Sequence, residues 1–245
     1  MDKSAIIEHF DKIAHNNRHL INGEIKGILL TFRGYGYTLN PTLDTCSYEA
    51  CAERGIMLIF PQYNPWCWMN NKTVAYIDAI IDAAIEMNNL PHDIPVGIYG
   101  GSMGGYCAFH YAIKAKHPIS AVAANCPCTN LEYVCANNIL GVNRTYFEAV
   151  LEDTDSYADY LHESSPLNMV EKLPNIPYRI SVGLKDDLLS PALHAFPMVE
   201  KMKAAGLDVV RVDYPEMAHC NYSNEDRIKE HMWVVDKILA DFVQN

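Results

Sequence analysis

Ser102 lies in the run Gly100-Gly101-Ser102-Met103-Gly104, directly after the apolar stretch Ile94 to Tyr99 and before the helical stretch Tyr106 to Lys114. A serine hydroxyl is a weak nucleophile until it is held clear of the backbone, beside a base and close to N–H donors; a sharp strand-to-helix turn supplies that exposure. Glycines suit the flanking positions because side chains there would strike the strand or the helix as the turn closes. The bland reading of the same five residues is a glycine-rich turn with an idle serine. The strand before and the helix after favour the nucleophile.

A nucleophile of this kind needs a base, and the base needs an orienting carboxylate. The run Ile176 to Gly183 reads as a buried strand and ends in Gly183-Leu184-Lys185-Asp186-Asp187, which makes Asp186 the candidate acid. The next strand, Leu207 to Tyr214, runs into Pro215-Glu216-Met217-Ala218-His219, which makes His219 the candidate base. The chain order Ser, Asp, His, with each residue on a loop beyond a different strand, separates this arrangement from other serine-triad scaffolds. His110, His117, His194 and His231 fall on or next to helices and read as structural or surface groups.

With these motifs the chain resembles the α/β-hydrolase superfamily, and within it the prolyl-oligopeptidase-like and esterase branch. The resemblance runs from about Lys26 to Phe242 and is carried by Arg33-Gly34-Tyr35-Gly36, Gly100 to Gly105, Gly183 to Asp187 and Ala218-His219. It implies an α/β-hydrolase fold: a mostly parallel central sheet, helices on both faces and a small helical cap insertion. It favours Asp186 over Asp187, because the family's acid commonly stands three residues after a glycine. It also implies an oxyanion hole made by the backbone N–H groups of Met103 and Tyr35. The family usually has His-Gly where this chain has Arg33-Gly34, and often glycine where it has Ala218 and Cys220; these departures bear on substrate and subfamily.

The activity so implied is that of a serine hydrolase cleaving carboxylic esters through an acyl-enzyme, with carbohydrate or aromatic-acyl esters as the specific guess. The alternatives are a prolyl-oligopeptidase-like peptidase, a thioesterase and a non-catalytic ligand-binding protein on the same fold. Peptidases of this branch generally carry a propeller domain, for which 245 residues leave no room, so ester is preferred to amide. All three triad members are present, which weighs against the non-catalytic reading.

At 245 residues, 49% hydrophobic and 20% charged, one α/β domain spanning 1–245 accounts for the chain. A formal net charge of −11 without any Lys/Arg cluster argues against a nucleic-acid partner and is compatible with a neutral or cationic small-molecule ester. No cofactor is called for. The N-terminal residues interrupt their few apolar positions with charges, and no apolar run approaches the ~20 residues that span a bilayer, so the expectation is a cytoplasmic protein without a membrane partner. The eight cysteines make neither a disulfide framework nor a repeated ligand spacing, so no metal site is expected.

The elements that must hold the triad follow from periodicity. Ser4 to Ile13 reads as a surface helix, and Arg18 to Ile21, Asn22-Gly23 and Glu24 to Phe32 as a hairpin entering the first strong strand. Thr45 to Arg54 is a crossover helix ended by Gly55, Ile56 to Pro61 a strand, Thr73 to Met87 an amphipathic helix, and Arg227 to Phe242 the terminal helix. About fifty residues lie between the strand ending near Asn125 and the one beginning near Ile176, too many for one crossover helix. The resemblance makes about 129–170 a cap over the site; an extended crossover outside the sheet is the other reading. The loop Gln62 to Asn71 places Tyr63, Trp66 and Trp68 as candidate substrate-binding residues, joined by Cys126 after the strand Ile119 to Ala124. For the tryptophans the competing role is to plug the space between loop and cap.

Overall fold

The computed structural model describes residues 3–37 and 45–244. In chain order these form α1 (Lys3–Glu8), α2 (Phe10–Ile13), β1 (Ala14–Asn16), β2 (Gly27–Phe32), α3 (Tyr48–Glu53), β3 (Ile56–Pro61), α4 (Asn71–Asn88), β4 (Val96–Gly101) and α5 (Met103–Lys114). There follow β5 (Ile119–Asn125), α6 (Leu131–Ala136), α7 (Val142–Val150), α8 (Tyr157–Ser164), β6 (Tyr178–Gly183), α9 (Ala195–Ala204), β7 (Val209–Tyr214) and α10 (Asn224–Gln244). The strands make one sheet in the order β1-β3-β2-β4-β5-β6-β7. All neighbours pair in parallel except β1, which runs antiparallel to β3 at one edge.

Every residue of β2 and β3 is buried, as continuous apolar runs covered on both faces must be. Alternate residues separate the two faces. Ile28, Leu30, Met57, Ile59, Val96 and Ile98 pack with α4, α5 and α9, whereas Leu29, Leu58, Tyr99, Ala121 and Ala123 pack with α3 and α10. This is the α/β-hydrolase architecture expected, with helices on both faces. No helix among the described residues is long and apolar enough to cross a membrane.

The expected hairpin at Asn22-Gly23 does not form. Arg18–Leu20 is a single 3-10 turn, and the antiparallel partner in the sheet is the earlier segment β1, bound to β3. Two facts explain this. β2 has β3 on one side and β4 on the other, so neither of its edges is open to a hairpin strand. The buried Asn17 side chain, meanwhile, accepts from Leu58 N–H at 2.8 Å and donates to the carbonyls of Tyr48 and Ile56 at 3.0 and 3.1 Å, fixing the preceding segment beside β3. The N-terminal helix is likewise divided, into α1 and α2, and buries Ile6 and Phe10 instead of lying free on the surface.

The insertion expected as a cap over 129–170 is helical, built of α6, α7 and α8. Most of its apolar groups, including Leu131, Val142, Tyr146 and Val150, join the core on the α5 side of the sheet. Its link to the loop after β3 is a set of hydrogen bonds, from Trp68 Nε1 to Thr145 Oγ1 at 3.2 Å and from Asn70 Nδ2 to the Ala149 carbonyl at 2.8 Å.

Candidate active site

Because β2, β4, β6 and β7 are parallel, the loops beyond their C-terminal ends share one rim of the sheet. Ser102 joins β4 to α5 at φ 58° and ψ −122°, a left-handed conformation that costs a non-glycine residue about 1–3 kcal/mol and persists only where the surroundings enforce it. They do so here through backbone hydrogen bonds. Ser102 N–H donates to the Asn125 carbonyl at 2.9 Å, and the Ser102 carbonyl accepts from Gly105, Tyr106 and Cys128 N–H at 3.0, 3.3 and 3.1 Å. The turn around it is also tightly closed: a Cβ on Gly100 would stand 2.1 Å from the Gly104 carbonyl oxygen.

The hydroxyl thus presented lies 2.8 Å from His219 Nε2, and His219 Nδ1 lies 2.7 Å from Asp186 Oδ2. A carboxylate only accepts, so Nδ1 carries the imidazole proton and Nε2 is left to accept from the serine. The other oxygen of Asp186 accepts from Leu188 and Leu189 N–H at 3.0 and 2.9 Å, which sets the plane of the carboxylate. Burial pushes the Asp186 carboxyl up, but the hydrogen bonds from His219 and Leu189 outweigh it and hold the group below the usual carboxylate range. Asp187 is exposed and takes no part in this chain of bonds.

Met103, the first residue of α5, has no acceptor for its N–H among the described residues, as expected at a helix N-terminus. Tyr35 N–H is equally unengaged among them. The Tyr35 loop runs against the serine, since a Cβ on Gly34 would sit 3.6 Å from Ser102 Cβ. Tyr63 fixes the start of that loop by accepting Arg33 N–H at 2.9 Å.

A cavity of about 510 Å³ opens on Ser102 and His219, walled by Tyr35, Tyr37, Phe60, Tyr99, Leu140, Leu188 and Tyr222 and carrying the charged side chains of Arg33 and Arg227. Among the described residues, Leu140 is the one member of the 129–170 insertion that lines it. The four residues expected to bind substrate, Tyr63, Trp66, Trp68 and Cys126, are not among its walls. Trp68 is 2% exposed and packs edge-on against Tyr106 and Tyr146 at 5.3 and 5.8 Å, between the loop after β3 and helices α5 and α7. Trp66 is exposed, lies against Gly36 and lines a separate cavity beside α4 and α7. Cys126 is buried behind the rim, its sulfur accepting Gly183 N–H at 3.4 Å.

The four histidines read as structural or surface groups, His110, His117, His194 and His231, are all buried. His110 Nε2 is 2.8 Å from the Ser164 carbonyl, His194 Nδ1 accepts from Thr129 and Asn130 N–H at 3.2 and 3.1 Å, and His231 Nδ1 is 2.7 Å from Ser47 Oγ. His231 also reaches the wall of the Ser102 cavity. One grouping was hidden by the linear spacing of the cysteines: Cys126, His219 and Cys220 bring potential ligand atoms within 4.8 Å of one another, whereas Cys128 lies in the core. The imidazole of that group is already committed to Ser102 and Asp186.

Structural comparison finds the same fold in several solved proteins. It is similar to esterase B from Lactobacillus rhamnosis (TM-score 0.69, 14% identity, 91% of this chain and 79% of that one). It is also similar to an S-formylglutathione hydrolase from Agrobacterium tumefaciens (TM-score 0.67, 15% identity, 88% and 86%). A puromycin-hydrolyzing peptidase from Mycobacterium tuberculosis aligns with TM-score 0.70 and 15% identity over 89% of this chain, which spans 34% of that protein's length. Identities this low establish a shared fold. No curated protein matches the chain in sequence. Residues 62–239, which contain Ser102, Asp186 and His219, match the prolyl oligopeptidase family, and the chain therefore belongs to that family of serine hydrolases.

Proposed function

We infer that the chain hydrolyses carboxylic esters of small molecules by acyl transfer to Ser102. The observation that carries this reading is the unbroken hydrogen-bond relay from Ser102 Oγ through His219 to Asp186, at 2.8 and 2.7 Å. His219 Nε2 takes the hydroxyl proton as Oγ attacks the ester carbonyl; Asp186, held ionised, stabilises the imidazolium that forms. The N–H groups of Met103 and Tyr35 receive the oxyanion. The imidazolium then protonates the departing alcohol, and water, deprotonated by the same imidazole, releases the acid and restores the serine.

Preference for ester over amide rests on two supports. The esterase and the S-formylglutathione hydrolase are spanned over 79% and 86% of their length, whereas the chain spans about a third of the puromycin-hydrolyzing peptidase. An ester carbonyl is also more electrophilic than an amide's, and its alcohol leaves with less dependence on prior protonation than an amide nitrogen, so the same relay acts on it more readily.

Hydrolysis of p-nitrophenyl acetate and of a prolyl anilide by the full chain tests the reading. The ester is expected to turn over faster, and Ser102→Ala to lower its turnover at least about 10³-fold. Asp186→Asn is expected to cost about as much, whereas Asp187→Asn stays within about twofold of the parent. Undiminished turnover in Ser102→Ala would refute the assignment, and a faster anilide would make the protein a peptidase.

A further inference from the structure

The net charge of −11 gives no hint of the charge inside the site. Among the described residues that line the Ser102 cavity there is no aspartate or glutamate, although the chain has 30 acidic residues; there are instead two arginines, Arg33 and Arg227. Arg33 is packed against aromatic rings, its guanidinium 4.1 Å from the centre of Phe60 and 5.8 Å from that of Tyr37. Arg227 is different. It stands in the first turn of α10, its Nε is buried without an acceptor, and no carboxylate pairs with its guanidinium among the described residues.

The acidic groups near it in sequence are engaged elsewhere. Asp226 accepts from Ser223 Oγ at 2.7 Å and lies 3.4 Å from Lys229 Nζ, and Glu230 forms a two-pronged bond with Arg179 at 2.8 and 3.1 Å. The remaining polar walls, among them the hydroxyls of Tyr99 and Tyr222, the amides of Asn125, Asn221 and Asn224, and the imidazole of His231, offer no carboxylate to pair with a cation. His231 reports the same local field, being held neutral, with a pKa near 3, by burial first and then by Arg227 and Arg33. A guanidinium held partly out of water with a donor unused is costly, and a planar fork of N–H groups matches a carboxylate or phosphate.

We propose that Arg227 is the anion-binding residue of the Ser102 cavity, and that the substrates are esters carrying a carboxylate or phosphate close to the scissile carbonyl. This deepens the ester-hydrolase reading and rests on it. It reverses the expectation of neutral or cationic substrates drawn from overall charge, because a ligand in a walled cavity meets the charges that line it more strongly than those screened on the outer surface. The aromatic walls leave the remainder of the substrate an apolar or ring-bearing body.

The test measures kcat/KM for two matched pairs. In one the charge is on the acyl side (4-nitrophenyl hemiglutarate against 4-nitrophenyl valerate), and in the other on the alcohol side (4-acetoxybenzoate against 4-acetoxyacetophenone). At least one anionic member is expected to exceed its neutral partner about tenfold or more, after correction for intrinsic hydrolysis. Arg227→Gln is expected to bring that ratio near unity and Arg227→Lys to restore part of it. Ratios near unity in both pairs, or a ratio unchanged in Arg227→Gln with its melting temperature preserved, overturn the proposal while leaving the hydrolase reading intact. If no ester is turned over, that reading fails, and calorimetry of glutarate and inorganic phosphate with Ser102→Ala decides the anion site. Binding of either that is lost when Arg227→Gln is added supports it, and no binding of either overturns it.

Discussion

Gly104 lies so close to the end of β2 that a Cβ at this position would stand 2.4 Å from the Phe32 carbonyl oxygen. The approach packs the first turn of α5, which begins at Met103, against the end of the strand that leads to Tyr35. Elsewhere in a helix, alanine in place of glycine stabilises by up to about 1 kcal/mol. Here the added methyl meets main chain that has nowhere to go, so Gly104→Ala is expected to destabilise by about 2–3 kcal/mol and to depress ester hydrolysis as the Met103 and Tyr35 N–H groups part. Urea unfolding and initial rates check both, and a stabilised, fully active variant would contradict the geometry.

Three buried histidines are expected to make the fold acid-sensitive. Burial, in each case the first cause, holds His110 and His231 to a pKa of about 3 and His194 to about 4. In the unfolded chain each titrates near 6.5. Above that pH neither state binds the proton and nothing is lost; below it the unfolded chain takes protons that the folded one refuses. Stability is therefore expected to fall from about pH 6.5 downward, by roughly 2 kcal/mol per histidine at pH 5. The depressed Asp186 acts in the same direction but only at lower pH, its contribution present above the ordinary aspartate pKa and lost as acid protonates the folded carboxylate. Unfolding midpoints at pH 7.5 and 5.0 measure the effect, and His110→Gln should make the dependence shallower; equal midpoints would argue against neutral burial.

The two tryptophans of the loop after β3 should separate cleanly. Trp68→Ala empties a site 2% exposed and bounded by Tyr35, Tyr106 and Tyr146, and is expected to cost about 3–5 kcal/mol. Trp66, 44% exposed, should cost no more than about 0.5 kcal/mol on truncation and leave KM for a small ester unchanged. A large rise in KM in Trp66→Ala would return that ring to the substrate site.

These contrasts show which features are written locally. The apolar runs of β2, β3 and β4 are continuous because both faces of a parallel sheet are covered, and such runs are visible without a structure. Ser102 and Asp186 are legible because each follows a buried strand, and His219 because it follows the next strand, an edge strand with only its first residue buried; parallel strands deliver their ends to one rim. The hairpin suggested by Asn22-Gly23 fails because turn preference is local, whereas the occupied edges of β2 and the anchoring of Asn17 are set by residues about thirty to seventy positions away. Trp66 and Trp68, two residues apart, look equivalent in sequence; Trp68 is drawn inward by Thr145 and Tyr146 of a helix far along the chain. Arg227 gave no signal, since on a charged amphipathic helix its turn toward the cavity depends on how α10 docks.

The account depends most directly on Ser102 being the activated hydroxyl of this protein, and a fluorophosphonate probe reads that property without any assumption about substrate. Intact-mass and peptide analysis are expected to show one adduct per chain, on the peptide containing Ser102, formed far more slowly in His219→Ala and absent in Ser102→Ala. Labelling of comparable rate in Ser102→Ala, or an adduct located on another residue, would contradict it.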